Sequence, residues 1–261
     1  MLNARLIAAG LQPEAVASAV AGAHVPTQSL RPSDPERTQK AVAGLAVGIV
    51  LYIALGLYGS FVSQGVVEEK ATRIVEILLA TVRPSEMLAG KIIGIGLVGL
   101  SQLSAIAAAT FVMVSLTNVV SIPAFDLPAI LGYLLWFVLG FLLYATAYAA
   151  VAATVSRQEE VSGATAPISV FLIASFLLAY TVIPNPASTL STVLSILPPF
   201  APILMAVRMS SGDAAAWQVG LALVLTVIST LGLTWIAGRI YSNSVLRLGA
   251  RVRFRDVLRG T

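Results

Sequence analysis

The chain has 261 residues, of which 57% are hydrophobic and only 11% charged, with a mean hydropathy of +0.90 and a formal net charge of +4. A soluble domain carries about a quarter charged residues, so this composition excludes an ordinary water-soluble globule and points to an all-α protein, a polytopic bundle of transmembrane helices. There is no cysteine, hence no disulfide, no thiolate nucleophile and no thiolate metal site.

In chain order, residues 1–40 are Ala-rich and then polar, ending in RPSDPERTQK, and read as an extracytoplasmic tail and linker. Arg5 and the run Leu6 to Leu11 imitate a signal peptide only faintly, because Gln12, Pro13 and Glu14 interrupt the apolar core. Apolar runs begin at Ala41. A hydrocarbon core of about 30 Å takes roughly 20 helical residues to cross. Five runs qualify within a 41–245 bundle, near 41–64, 92–116, 128–155, 164–183 and 216–240. Asp126 and Pro128 mark the start of the third, an acid near the positive helix end and a proline where a missing donor matters little. Trp217 and Tyr241 bracket the fifth as interfacial aromatics.

Between the first two runs lies the long charged segment GVVEEKATRIVEILLATVRPSEMLAGK, Gly65 to Lys91. At helical spacing Val67, Ala71, Ile74, Val75, Leu78 and Val82 share a stripe opposite Glu69, Arg73, Glu76 and Arg83, so the spacing predicts an amphipathic helix over 66–83. Glu69 and Arg73 form an i,i+4 pair in the favourable order, worth ~0.3 kcal/mol. Pro84 ends this helix, and Ser85 caps the next with Glu86 in its first turn. Such a helix either lies among headgroups or docks a partner; its mixture of charge signs suits a protein partner better than anionic lipid.

Eleven of the sixteen Lys and Arg residues, among them Lys70, Arg73, Arg83, Lys91, Arg157 and Arg239, fall in one set of loops and the C-terminal tail. Cytoplasmic loops retain such residues, which places 65–91, the Arg157-Gln158-Glu159-Glu160 loop and the basic tail 246–261 inside, with 1–40 and 184–215 outside. The tail reads as an anchor on anionic lipid and not as a nucleic-acid site. In the outer segment Ile183 to Trp217, the turn Leu197-Pro198-Pro199-Phe200-Ala201-Pro202 precedes a short apolar helix, Ile203 to Met209, too short to cross. This outer-face helix either lies in the interface or forms a gate or plug.

No Asp, Glu, Lys or Arg sits deep in the five runs, which argues against an ion-coupled carrier, where a costly buried charge is retained for use. Uncharged polar candidates remain: Ser101, Gln102 and Ser104 in the second run, Tyr144, Thr146 and Tyr148 in the third. They serve either as interhelical glue, worth about 0.6 kcal/mol each, or as a substrate path, for which Ser101, Gln102, Tyr144 and Tyr148 are the candidates. Gly44/Gly48 and Gly90/Gly94 have the spacing that permits close helix approach. His24 is the single histidine and lies in the outer tail, so no serine–histidine couple forms within a span and no H-E-x-x-H zinc site exists. A phosphate loop G-x-x-x-x-G-K-S/T would place glycine at Ser85 and Ser or Thr at Ile92. The sequence thus offers no catalytic residue, no metal site and no ATP site of its own.

The run Glu68-Glu69-Lys70, then Arg73, Glu76, Leu78-Leu79, Thr81, Pro84 and Gly90-Lys91, resembles the signature of ABC-2-type export permeases, most closely the sodium-export, NatB-like branch. The resemblance implies a cytoplasmic coupling helix over 66–83 that meets a separate ATP-hydrolysing subunit. It implies that Glu68, Glu69, Lys70, Arg73 and Glu76 make polar contacts to that subunit, that Leu78 and Leu79 anchor the helix, and that Pro84 sets the corner. Arg83 and Lys91 belong to the same coupling set. ATP and magnesium would be held by the ATPase, present in two copies, beside a second permease half, identical or homologous. The implied function is export of a substrate across the plasma membrane: sodium, or a drug or lipid. Permeases of this kind have one more span than is read here, ahead of the first, followed by a large extracytoplasmic domain. The chain is therefore expected to be a fragment or to have a misplaced start. The reading from another class is a non-transporting membrane scaffold or assembly protein, separated from the exporter by whether an ATPase frame neighbours the gene.

Overall fold

Seven α-helices make up the described residues of the computed structural model, which are 35–71, 83–117 and 126–244. They are α1 (Pro35–Ala71), α2 (Pro84–Thr117), α3 (Leu127–Ala152), α4 (Val161–Val182), α5 (Thr189–Ile196), α6 (Ala201–Ser211) and α7 (Ala216–Ser244). A single 3-10 turn, Gln158–Glu160, leads into α4, and no strand occurs among the described residues. Five helices, α1 to α4 and α7, are long and apolar enough to cross a membrane, with mean hydropathies between 1.9 and 2.2.

α1 is the longest, with 37 residues, and it differs from the expected division into a span ending near 64 and a separate helix. It runs without a break through Glu68, Glu69 and Lys70, because no proline intervenes and Val66 and Val67, both fully buried, keep the chain packed as it leaves the apolar stretch. The rest of the predicted amphipathic helix, 72–82, lies outside the described residues. Pro84 opens α2 at a position where its missing N–H is one of the orphans of a helix start. The Glu86 side chain reaches back to accept from the Arg83 backbone N–H at 3.4 Å, and Ser85 sits inside the first turn, not at its cap. α3 starts as its sequence predicts: Asp126 accepts from the Ala129 N–H at 3.0 Å, with proline in the first turn.

α1 and α3 form the centre. In each, 44% of the most apolar window is buried, against 17% in α2 and α7, whose outer faces expose Ile93, Leu97, Val98, Val224, Ile228 and Leu231. Tyr58 of α1 meets Phe137 of α3 edge-on at 6.1 Å, and Phe137 stacks on Phe141 at 5.9 Å. α2 approaches these rings through Gly96 and Gly99, where an added Cβ would come within 2.6 Å of Phe141 and 2.9 Å of Phe137. α7 packs chiefly along α3.

The short helices α5 and α6 form a hairpin folded into one end of this bundle. α6 is buried at nearly every position from Ala201 to Ser210, so it does not lie flat in an interface. Its sequence, APILMAVRMSS, is apolar on most faces and leaves no broad polar side to turn toward headgroups. Its groove is floored by glycine: a Cβ on Gly44 of α1 would collide with Ser210 Oγ, and one on Gly140 of α3 would lie 2.6 Å from Pro202 Cβ. Gly44 and Gly48 therefore serve close approach, to α6, whereas a Cβ on Gly90 or Gly94 would meet nothing within 4 Å among the described residues of other elements. Gly212, at φ 76°, closes α6 in the left-handed conformation that glycine adopts without strain.

Candidate functional site

The flanks of segment 72–82 meet at one end of the bundle, where α1 leaves and α2 enters. Glu69 of α1 and Lys91 of α2 form an ion pair, Oε2 to Nζ, at 2.7 Å, largely withdrawn from water. Gly65, one turn before Glu69, makes room for it, since a Cβ there would stand 3.2 Å from Lys91 Nζ. Next to Glu69, Lys70 turns the other way: its Nζ is buried and donates to the Ala153 carbonyl at 3.1 Å, just past the C-terminus of α3. A cation at that position suits the negative end of a helix dipole. Both strands of chain entering the segment are thus fixed, one helix to the other and α1 to α3. Glu68 and Arg83 are exposed on the same end, as are Arg157 and Glu159, which pair at 3.4 Å.

A cleft of about 700 Å³ begins at this end and runs between α1 and α4. One wall is a stripe of α1 at helical spacing, Tyr52, Gly56, Ser60, Ser63 and Gln64; the other is Gln158, Ser162, Thr165 and Ser169. Tyr148 of α3 forms the floor, its hydroxyl 3.0 Å from Ser169 Oγ. Tyr52, on the cleft wall, stacks on Phe176 at 5.1 Å, with Tyr180 edge-on to Phe176 at 5.6 Å. Among the described residues no charged side chain lines it.

At the opposite end, the fully buried Arg208 of α6 closes the hairpin. Its Nε donates to the Pro186 carbonyl at 2.9 Å and Nη1 to Ser195 Oγ at 2.7 Å. Its Nη2 donates to Gln218 Oε1 at 2.7 Å and to the Asp213 carbonyl at 3.3 Å. Burial lowers the guanidinium from its ordinary value and the nearby Asp213 charge opposes this, but arginine stays protonated at any working pH. The hairpin tip is tied as well: the Pro199 carbonyl accepts from Tyr144 Oη and, at 3.3 Å, from Ser175 Oγ.

Of the path candidates, Tyr148 lines the cleft. Tyr144 is spent on Pro199, Gln102 accepts from Tyr58 Oη between α1 and α2, and Ser101 donates to the Val98 carbonyl within its own helix at 2.8 Å. Of the coupling candidates, Glu68, Glu69, Lys70, Arg83, Pro84 and Lys91 gather at one end, and Arg73, Glu76, Leu78 and Leu79 lie outside the described residues. Sequence reasoning missed Ser60, Ser63, Gln64, Thr165 and Ser169; their signal was the polar stripe repeating at three and four residues on α1 and on α4.

The family described as ABC-2 family transporter protein matches residues 1–239. The chain belongs to the ABC-2 transporter family. Its five apolar helices are those of an integral, multi-pass membrane protein. This ABC-2 chain is 29% identical to the uncharacterized protein YhaP of Bacillus subtilis, a match that covers 95% of the chain and 62% of YhaP. It is 24% identical to the uncharacterized protein MJ1024 of Methanocaldococcus jannaschii, covering 82% of the chain and 53% of MJ1024. The chain therefore spans less than two thirds of the length of both relatives. No solved structure matches.

Proposed function

We propose that the chain is a permease half of an ATP-driven ABC exporter, with hydrolysis carried out by a separate ATPase. The observation that carries this reading is the Glu69–Lys91 brace, which ties α1 to α2 on either side of segment 72–82, next to the Lys70 tie to α3. A force applied to that segment is delivered into three spans at once. In this reading the coupling set divides. Glu68 and Arg83, which are exposed, together with Arg73 and Glu76, meet the ATPase. Glu69, Lys70 and Lys91 position the segment from behind, Leu78 and Leu79 anchor it, and Pro84 sets the corner.

Two ATPase copies, holding ATP and magnesium, and a second permease half, identical or homologous, complete the transporter. The segment and the C-terminal tail face the cytoplasm, and the Arg208 end with the N-terminal tail faces outward across the plasma membrane. The signature from Glu68 to Lys91 supports a place near the sodium-export branch, and the cleft between α1 and α4 is the substrate path within this half. The test is reversal of charge at the exposed pair, Glu68→Lys with Arg83→Glu, in cells that also carry the cognate ATPase. Copurification of the ATPase and transport should both fall while the permease accumulates normally; if the ATPase still copurifies in full, the docking role is wrong.

A further inference from the structure

The cleft between α1 and α4 has a chemical polarity that its residue names do not reveal. Three of its hydroxyls donate into their own helices. Ser60 Oγ donates to the Leu57 carbonyl, Ser63 Oγ to the Ser60 carbonyl and Thr165 Oγ1 to the Val161 carbonyl, each at 2.8 Å. Deeper in, Ser169 Oγ and the Tyr148 hydroxyl share a hydrogen bond at 3.0 Å in which either can be the donor. A hydroxyl has one proton and two lone pairs, so Ser60, Ser63 and Thr165, with their protons taken, offer the cleft acceptors. The Gln64 and Gln158 amides and the Ser162 hydroxyl, which can donate, are exposed, and the Tyr52 hydroxyl and the Tyr148–Ser169 pair are the donors further along the lining. The interior is thus rich in oxygen lone pairs, and it is lined as well by Tyr52 and Tyr148 and by the apolar side chains of Leu57, Leu172 and Ile173.

Such a wall presents several lone pairs and, among the described residues, no basic side chain to hold an anion, and it favours a molecule that brings its own protons or positive charge. Its volume of about 700 Å³ lies within the range of roughly 300–1,000 Å³ typical of organic-ligand pockets. A bare sodium ion needs a close cage of oxygens, and a cleft this wide does not supply one. We infer that the α1–α4 cleft binds an amphipathic organic cation, a hydrophobic body bearing amine or ammonium groups, with the hydroxyl oxygens accepting from the nitrogen end and the tyrosine faces stabilising its charge. This rests on the cleft being the substrate path of the exporter.

The test uses the purified full chain in detergent, without the ATPase, and two fluorescent probes of comparable size: ethidium, a cation carrying amino groups, and anilinonaphthalene sulfonate, an anion. Ethidium should bind saturably and the anion should not compete with it. Filling the mouth with Ser162→Trp, a change at an exposed position, should abolish the saturable signal. The pair Thr165→Val and Ser169→Ala, which removes two acceptors and leaves the cleft open, should weaken ethidium about tenfold or more, with an unchanged thermal transition as the check on folding. The inference is overturned if the anion displaces ethidium, if the variants leave binding unchanged, or if sodium chloride displaces ethidium where choline chloride does not. Because the ATPase is absent from this measurement, its failure is distinct from failure of the copurification experiment on Glu68 and Arg83.

Discussion

The two ends of the bundle each hold basic side chains away from water, and they do it by opposite means. At one end Lys91 meets a carboxylate, Glu69, from another helix, and Lys70 caps α3 from across the bundle. At the other, Arg208 is surrounded by neutral oxygens drawn from a single stretch of chain, Pro186 to Gln218. A pair between opposite charges on separate helices can be exchanged when another molecule offers its own charges, so the first arrangement suits an end that responds. A guanidinium whose donors are taken by a contiguous, buried hairpin has nothing to exchange with, so the second suits an end that holds its shape.

That contrast breaks most readily at Arg208. Arg208→Met would leave four oxygens without their donor inside the hairpin, and thermal unfolding in detergent should show a loss of about 3–5 kcal/mol, the order expected when several buried acceptors go unsatisfied at about 1–3 kcal/mol each. A variant melting with the parent would mean that the hairpin is held by its apolar contacts alone. The glycine cradle comes next. Gly140→Val should cost about 1–3 kcal/mol by overpacking against Pro202. Gly94→Leu, where nothing lies within 4 Å, should change the same transition by no more than about 0.5 kcal/mol.

Smaller effects sharpen the picture. Asp126→Ala removes the cap of α3 and should lower stability by about 1 kcal/mol, read from the same melting curve. At the exchangeable end a loss should be recoverable. Lys91→Glu sets two largely desolvated carboxylates together and should cost about 1–3 kcal/mol, between the values for an exposed and a buried pair, and the swapped pair Glu69→Lys with Lys91→Glu should regain most of it, as a double-mutant cycle would show. Without any regain on swapping, the brace would be a matter of packing around Gly65 and not of charge.

Hydropathy made the five crossing helices legible, because crossing a bilayer demands long apolar runs, and Asp126 with Pro128 announced the start of α3 through local capping chemistry. What stayed hidden was everything that depends on which helix lies beside which. Arg208 read as one more loop cation, since no local pattern tells of acceptors at Pro186, Ser195 and Gln218 converging on it. The depth of α6 did have a signal, in that a helix apolar on most of its surface seeks burial, but its length alone suggested a surface element. In the candidate site, Tyr148 was found because a hydroxyl in an apolar run stands out. Ser60, Ser63, Thr165 and Ser169 were not, because a hydroxyl that bonds its own helix looks like any other small residue until the facing wall is known.

The unbroken course of α1 carries a mechanical consequence. Its 37 residues make a rod of about 55 Å at 1.5 Å per residue, nearly twice the thickness of a hydrocarbon core. Pivoted where Gly44 and Gly48 seat it against the fixed hairpin, such a lever has a long arm toward Lys70. With roughly 35 Å of arm beyond the pivot, a tilt of about 10° would sweep the Lys70 tip through about 6 Å. A small rotation at the seat is thereby matched to a large stroke at the tip, and the wall of the cleft moves with it.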